Sequence, residues 1–118
     1  MSKAKNKVIA GDYEGKQVDQ VRGNAYIILG LFKKNIDLNR SNVSQYELVT
    51  DEHRKSAASG VARGLVGKAL LGPVGLLAGG LSAKSKGIYQ VVVEFNDGKR
   101  SLIECDDKIY KAIIKGCF

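Results

Sequence analysis

Several residue types that enzymes and metal proteins use for their chemistry are scarce in this sequence. It contains one histidine, His53, two cysteines, one proline and no tryptophan. A lone histidine in the polar stretch 51–54 forms neither a catalytic triad nor a zinc site, because both need further side chains close by. Asp106 and Asp107 lack a second acidic cluster, and helix capping accounts for them. The sequence therefore predicts a protein that is not an enzyme and that binds no cofactor and no metal ion.

Targeting signals and long apolar runs are also missing. No apolar run of signal-peptide length follows the basic N-terminus. Cys105 and Cys117 lie far from the single histidine, and the sequence has no third cysteine, so we expect them to be reduced thiols. The longest uncharged run, 69–83, is shorter than the roughly 20 residues that a helix needs to cross a bilayer. These features predict a cytoplasmic protein, with peripheral association at the inner membrane surface as the alternative location.

Positive charge is what the sequence has in excess. It carries 19 Lys and Arg against 12 Asp and Glu, a net charge of +7, which favours anionic partners and also serves solubility. The basic residues occur in short pairs, such as Lys33-Lys34 and Lys99-Arg100, and no block of five appears. Nucleic acid is a minor alternative partner, because no RNA-binding or helix-turn-helix signature accompanies the tyrosines that could stack on bases. Those tyrosines are Tyr13, Tyr26, Tyr46 and Tyr89.

Short apolar runs separated by turn residues predict strands in the first half of the chain. Val8 and Val18 flank turn residues at 11–15, which predicts a first hairpin. The run 24–32 is apolar on both alternating faces, which predicts a strand that is covered on both sides or bent at Gly30. Two shorter β-like runs follow, at 36–38 and 46–50.

The end of the chain predicts a hairpin followed by an amphipathic helix. Residues 89–95 alternate as a strand does, and Asn-Asp-Gly at 96–98 favours a tight turn before a return strand. Asp106 or Asp107 can cap the helix that follows, and Gly116 is expected to end it. The apolar stripe of this helix comprises Ile109, Tyr110, Ile113, Ile114 and Cys117.

This order of about seven short strands and then one helix, carried by residues 33–47 and 88–118, resembles that of pleckstrin-homology-like (GRAM-like) domains. The chain is also similar to small bacterial and phage proteins of unknown function that have a Gly-rich insert before the final hairpin and helix. The resemblance implies a mainly β (α+β) fold in a single domain, residues 1–118. In such a fold two antiparallel sheets pack together and the C-terminal helix fills one open end. The first hairpin loop, 11–16, has two acids and no basic cluster, and so departs from the phosphoinositide-binding pattern of that family.

The segment 56–83 differs in composition from the rest of the chain. Seven of the 14 glycines lie between positions 60 and 80. Small residues recur at four-residue spacing, which on a helix makes a face that another helix can approach closely. Pro73 interrupts such a helix in the middle, so we expect two short helices or a bent hairpin.

Three arrangements of this Gly-rich segment are open. Its large apolar side chains mark a contact with another protein or with a second copy of the chain. The basic residues that bracket it favour binding to an anionic membrane surface. The third arrangement is packing back onto its own domain. The apolar residues are Leu65, Val66, Leu70, Leu71, Val74, Leu76, Leu77 and Leu81, and the basic residues are Arg54, Lys55, Arg63, Lys68, Lys84 and Lys86.

The sequence therefore predicts an interaction module. Our first hypothesis is protein contact or self-assembly into a homo-oligomer through the Gly-rich segment. The alternative is peripheral binding to an anionic membrane through the basic residues around that segment, and nucleic-acid binding is the minor alternative.

Overall fold

Two antiparallel β-sheets and a C-terminal helix make up the fold in the computed structural model, which describes residues 5–49 and 87–117. The Gly-rich segment 56–83 lies outside these residues. The prediction of a mainly β fold with a C-terminal helix is confirmed. In chain order the elements are β1 (Lys7–Gly11), β2 (Val18–Val21), β3 (Asn24–Ile27), β4 (Ile36–Asp37), β5 (Val43–Leu48), β6 (Tyr89–Phe95), β7 (Arg100–Cys105) and α1 (Asp107–Cys117).

The strands form one four-stranded and one three-stranded sheet. The first has the order β1-β7-β6-β5 and the second has the order β2-β3-β4. The sheets meet where β1 passes into β2, because Lys7 bridges to Gln17 and the Val8 amide donates to the Lys16 carbonyl at 2.8 Å. In the first sheet β6 lies between β5 and β7. The strands β5 and β6 are therefore neighbours although residues 49–88 separate them along the chain.

The hydrophobic core lies between the two sheets and under α1. The helix packs mainly against β2 and β3 and also contacts β5, β6 and β7. Its buried residues are Ile109, Ala112 and Ile113, while its lysines are exposed, so the predicted division into an apolar and a basic side is confirmed. Each fully buried aliphatic side chain stabilises the fold by roughly 1.5–3 kcal/mol. The largest fully buried side chains of this core include Ile27, Leu38, Ile103, Ile113, Val8, Val91, Val93 and Cys105.

The strand that the sequence predicted at residues 24–32 is shorter in the structure. The structure ends β3 at Ile27, and residues 28–35 form the loop to β4. Of the two predicted alternatives, a strand covered on both sides is wrong beyond that point, because the partner strand begins only at Val18 and pairs with Ile27. The other alternative, a bend at Gly30, agrees with the structure. A φ of +152° at Gly30 turns the chain out of the strand direction, in a region that favours glycine.

Gly116 does not end the helix as predicted. Helix α1 continues to Cys117, and Gly116 lies against the segment that links β4 to β5. A Cβ atom at this position would lie 2.6 Å from the Leu38 carbonyl oxygen. The Gly116 carbonyl in turn accepts a hydrogen bond from the Arg40 amide at 3.1 Å. The glycine is therefore required for close packing, and helix termination does not explain it.

Candidate interaction surface

The most exposed large apolar side chains in the described part of the chain are neighbours in the loop between β3 and β4. We call residues 28–35 the β3–β4 loop. Leu31 is 97% exposed and Phe32 is 100% exposed. Single exposed apolar residues are common on protein surfaces, but two large ones side by side at full exposure form a small patch that needs a reason.

Both ends of the β3–β4 loop are fixed to the fold. Before the loop, Ile27 is fully buried and pairs with Ile36 at the start of β4. The Ile28 amide donates to the Gln17 carbonyl at 2.9 Å, and Leu29 packs against the core. At the tip, the Lys33 amide donates to the Gly30 carbonyl at 3.3 Å, which closes a turn. Leu31 and Phe32 therefore lie at the tip of a loop whose two ends are held by the fold.

Two lysines follow the apolar pair directly. Lys33 and Lys34 are exposed, and the loop has no acidic residue. Within residues 5–49 and 87–117, no carboxylate lies within ion-pair distance of either ammonium group. The loop thus combines an apolar tip with two adjacent positive charges that face solvent.

Two other connections leave the fold at the same end as the β3–β4 loop. Since β1, β2 and β3 are antiparallel neighbours, the β1–β2 connection and the β3–β4 loop lie at one end and the β2–β3 turn lies at the other. The turn between β6 and β7 belongs to the first end, because Gly11 pairs with Ser101 at the start of β7. This turn at 96–99 was predicted from its Asn-Asp-Gly sequence and is confirmed by its hydrogen bond from the Gly98 amide to the Phe95 carbonyl at 2.9 Å.

Charged side chains at this end mostly pair with one another. Asp12 accepts from the Arg100 amide at 2.9 Å. The Arg100 side chain donates to Glu94 at 2.8 Å. Hydrogen bonds from Gln45 and then from Arg100 lower the pKa of the Glu94 carboxyl. Lys99 lies 3.7 Å from Asp97 and 5.4 Å above the Tyr13 ring. The bond from the Arg100 amide to Asp12 and the contact of Lys99 with Tyr13 link the two connections, while the other pairs lie within the β6–β7 hairpin. Lys33 and Lys34 are exposed cations at this end, as is Lys16 in the β1–β2 connection.

The outer face of the four-stranded sheet is not an exposed surface. Val91 and Val93 face the core, so Val92 points to the opposite side. Val92 is 0% exposed, and its cross-strand partner Leu102 is 2% exposed. Glu104 on the same face is also buried and accepts a hydrogen bond from the Lys5 amide at 3.0 Å. The central strands β6 and β7 are therefore buried on both faces at these positions.

The two thiols are poor nucleophiles and poor metal ligands at neutral pH. Burial raises the pKa of Cys105 to about 12 and that of Cys117 to about 11. The Cys117 thiol lies 3.6 Å from the Leu38 carbonyl oxygen, to which it donates. In the part of the chain that the structure describes, no three His, Cys, Asp or Glu side chains are grouped so that they could hold a metal ion.

The neighbouring carboxylates of Asp106 and Asp107 have structural partners. Asp106 caps α1, as predicted, because its Oδ1 accepts from the Ile109 amide at 2.9 Å. Asp107 pairs with Lys111 one turn later at 2.9 Å. That hydrogen bond lowers the pKa of the Asp107 carboxyl and raises the pKa of the Lys111 ammonium group.

Three of the four tyrosines considered for base stacking contact the core. Tyr13 meets Phe95 edge to face with 5.5 Å between ring centroids, and Tyr46 packs against the buried cluster. Tyr89 stacks on Tyr110 at 4.4 Å, and its hydroxyl donates to Asp107 at 3.3 Å. These rings already have partners within the fold, so their geometry adds nothing in favour of nucleic-acid binding.

All of the site residues predicted from the sequence lie outside the described residues. These are the apolar set Leu65, Val66, Leu70, Leu71, Val74, Leu76, Leu77 and Leu81 and the basic set Arg54, Lys55, Arg63, Lys68, Lys84 and Lys86. The β3–β4 loop was not among the predicted sites, because Leu31 and Phe32 were predicted to lie in a strand that is covered on both sides or bent at Gly30. Gly30 before them and Lys33-Lys34 after them are the sequence signal of a turn that could have identified the loop.

The described portion of the chain contains no helix that is both long and apolar enough to cross a bilayer. No protein-family model, no curated protein and no solved structure matches the chain.

Proposed function

We propose that this chain is a non-enzymatic interaction module, a pleckstrin-homology-like domain of residues 1–118 whose Gly-rich segment 56–83 binds a protein partner or a second copy of the chain. Its order of elements, with two antiparallel sheets and a C-terminal helix, supports the pleckstrin-homology-like assignment. The spacing of small residues around Pro73 supports two short helices in the segment.

The observation that carries this proposal is the position of residues 50–86 within the fold. They connect β5 to β6, which are paired neighbours with Leu48 opposite Val91. The pairing continues past β5, because the Val49 amide donates to the Gln90 carbonyl at 2.8 Å. A tight turn of about two residues is enough to join two such strands. The connection is therefore much longer than the hairpin requires. We infer that its leucines and valines have a role other than joining the two strands.

Self-association is the simplest way to cover this apolar set. A two-fold dimer places the same surface of each chain against the other, so one apolar segment can cover its own copy. A face of small residues permits close helix packing across such an interface. Burial of apolar surface is the dominant favourable contribution to most protein–protein association.

Size-exclusion chromatography with light scattering tests this proposal on the full chain. The wild type is expected to have a mass that is a multiple of 12.7 kDa and that depends on concentration. Leu70→Glu and Leu76→Glu should each shift the mass to that of the monomer, because a buried charge at an interface costs several kcal/mol. Val21→Glu is the matched control, since Val21 is 54% exposed and lies on β2, outside the segment.

A second measurement separates self-association from packing within one chain. Thermal unfolding is followed for the same variants by circular dichroism. A wild type that is monomeric at high concentration, with Leu70→Glu and Leu76→Glu strongly destabilised, would show that the segment is covered within its own chain. Val92 and Leu102 on the outer sheet face would be the first residues to examine for such a contact. That outcome would refute self-assembly.

A further inference from the structure

We infer that the solvent-facing side of the three-stranded sheet binds an arginine side chain of a partner protein. The Tyr26 ring lies beneath the guanidinium group, and the Asp19 and Asp37 carboxylates lie on either side of it. This surface is outside the Gly-rich segment, so the inference does not depend on the proposed function. It adds a second contact to the module and states the chemistry of the partner that fits it.

Strand pairing places both carboxylates beside the same ring. Tyr26 on β3 pairs directly with Asp19 on β2 and with Asp37 on β4. Residues opposite each other on antiparallel neighbours share a face, and their Cβ atoms lie roughly 4.5–5.5 Å apart. Ala25 and Ile27 on either side of Tyr26 belong to the core, so the ring and its two neighbours face solvent. Both aspartates are exposed.

The fold gives these three side chains no partner that explains their position. The Asp19 carboxylate accepts from the amide of the next residue, Gln20, at 2.7 Å. Within the described ranges 5–49 and 87–117, no Lys or Arg lies within ion-pair distance of either carboxylate, and no second ring packs on Tyr26. Aspartate is also among the residues that strands favour least. The stability of the sheet therefore does not explain two aspartates beside one ring.

A guanidinium group matches this arrangement. It is planar, it stacks on aromatic rings, and it carries five N–H donors around its edge. Neighbouring strands lie about 4.8 Å apart, so β2 and β4 flank the ring at roughly equal distances. A guanidinium group on the ring of Tyr26 therefore has a carboxylate near each of two opposite edges. A lysine ammonium group is a compact, strongly hydrated point charge and fits this shape less well.

The charge of this face argues against other classes of ligand. The chain as a whole has a net charge of +7, but Asp19 and Asp37 repel the phosphate groups of nucleic acids and of anionic lipids. A single metal ion is also a poor match, because the Tyr26 ring separates the two carboxylates. The part of the chain that the structure describes has no group of three metal-ligating side chains. A cationic side chain is the complementary group.

Packing behind the sheet holds the face in place. Val18 and Ile27 pair across β2 and β3 on the inner side, and both are buried. Helix α1 packs against the same two strands. A preformed face loses little conformational freedom on binding, so more of the contact energy appears as affinity.

A tryptophan reporter tests the contact directly. The chain contains no tryptophan, so Tyr26→Trp in the full chain gives one fluorescent site on this face, and tryptophan is the aromatic side chain that binds cations best. Titration with a blocked peptide of four arginines should change its emission until binding saturates, and a peptide of four lysines should bind more weakly. Phe32→Trp is the control reporter, because Phe32 is fully exposed in the β3–β4 loop, and its emission should not change.

Isothermal titration calorimetry with the arginine peptide measures the contribution of each group. Asp19→Asn and Asp37→Asn should each weaken binding roughly two- to fivefold, and the double variant roughly four- to 25-fold. Tyr26→Leu should weaken it roughly two- to fivefold, because leucine keeps the apolar bulk but lacks the ring face. The control with an equal change of charge is Glu14→Gln with Asp97→Asn, two exposed carboxylates in the connections, which should bind as the wild type does.

Four outcomes would overturn the inference. Equal weakening in the control and in the double variant of Asp19 and Asp37 would show attraction to net charge alone. Equal affinity for the two peptides would refute the assignment of arginine. An emission change of Tyr26→Trp with calcium and not with the arginine peptide would assign a metal ion. An emission that depends on the concentration of the chain without any peptide would place a second copy on this face. The light-scattering masses of the Gly-rich segment variants are independent of all four results.

Discussion

Loss of the Asp106 carboxylate should destabilise the domain measurably, because this side chain joins the start of α1 to the start of β1. Its Oδ1 accepts from the Ile109 amide at 2.9 Å, which caps the helix. Its Oδ2 accepts from the Asn6 side-chain amide at 3.3 Å. A second hydrogen bond joins the same two residues, because the Asn6 Oδ1 accepts from the Asp106 backbone amide at 2.9 Å. The carboxylate therefore satisfies one helix amide and helps to fix the chain before β1.

The expected magnitude follows from these two contacts. Removal of an N-cap side chain costs about 1 kcal/mol. Loss of the longer bond from Asn6 adds roughly 0.5 kcal/mol. Asp106→Ala should therefore lower the free energy of unfolding by about 1.5 kcal/mol, which corresponds to a Tm decrease of roughly 5 °C in a domain of this size. Asp106→Asn should cost much less, because asparagine caps helices about as well as aspartate.

Urea unfolding followed by far-ultraviolet circular dichroism is the assay. The midpoint should fall for Asp106→Ala with no change in the slope m, which reports the surface exposed on unfolding. Asp107→Ala is the matched control: this carboxylate is half exposed and pairs with Lys111 on the helix surface. A loss in Asp107→Ala equal to or greater than the loss in Asp106→Ala would refute the capping argument.

Three further predictions concern packing, pH and thiol reactivity. Gly116→Ala should lower the free energy of unfolding, measured in urea, by about 1–2 kcal/mol. The added Cβ would overlap the Leu38 carbonyl oxygen, and the cost of this overlap exceeds the gain in helix propensity. Glu94→Gln should destabilise the chain at pH 7, because hydrogen bonds from Gln45 and Arg100 lower the pKa of the folded carboxyl. Its difference from wild type should start to shrink as the pH falls below the unfolded pKa of about 4.3, and it should be lost once the pH is below the lowered pKa of the folded state. A constant difference across that range would contradict this. Both cysteines should resist a thiol reagent at pH 8 in the native chain and react at once in guanidinium, since burial raises both pKa values.

The helix and strands with a regular apolar pattern were predictable, because the spacing of their apolar residues indicates which face is buried. Ile109 and Ile113 lie four residues apart, and both are buried against the core. Val91, Val93 and Phe95 alternate, and all three belong to the core cluster. The turn after Phe95 followed from residue types that tolerate a tight reversal, and Gly98 has a φ of +90°.

The β3–β4 loop could not be assigned in the same way. Its tip has the same apolar residue types as the strand before it, so hydrophobicity alone continues the strand through Phe32. Whether β3 extends depends on whether a partner strand lies beside it. That partner, β2, begins at Val18, opposite Ile27, so no strand residue of β2 lies beside residues 28–32. Apolar residue types alone therefore do not reveal the exposed tip, although Gly30 and Lys33-Lys34 on either side of it mark a turn.

The sequence by itself determined the class of fold, the final hairpin, the helix cap and the amphipathic helix, because each depends on residue types within one or two turns of chain. The tertiary structure alone decided that the sheet of β6 and β7 is buried on both faces and that Leu31 and Phe32 are solvated. It also decided that Gly116 is held against Leu38. These features depend on which distant segments approach one another, and the local pattern of apolar and polar residues does not specify that approach.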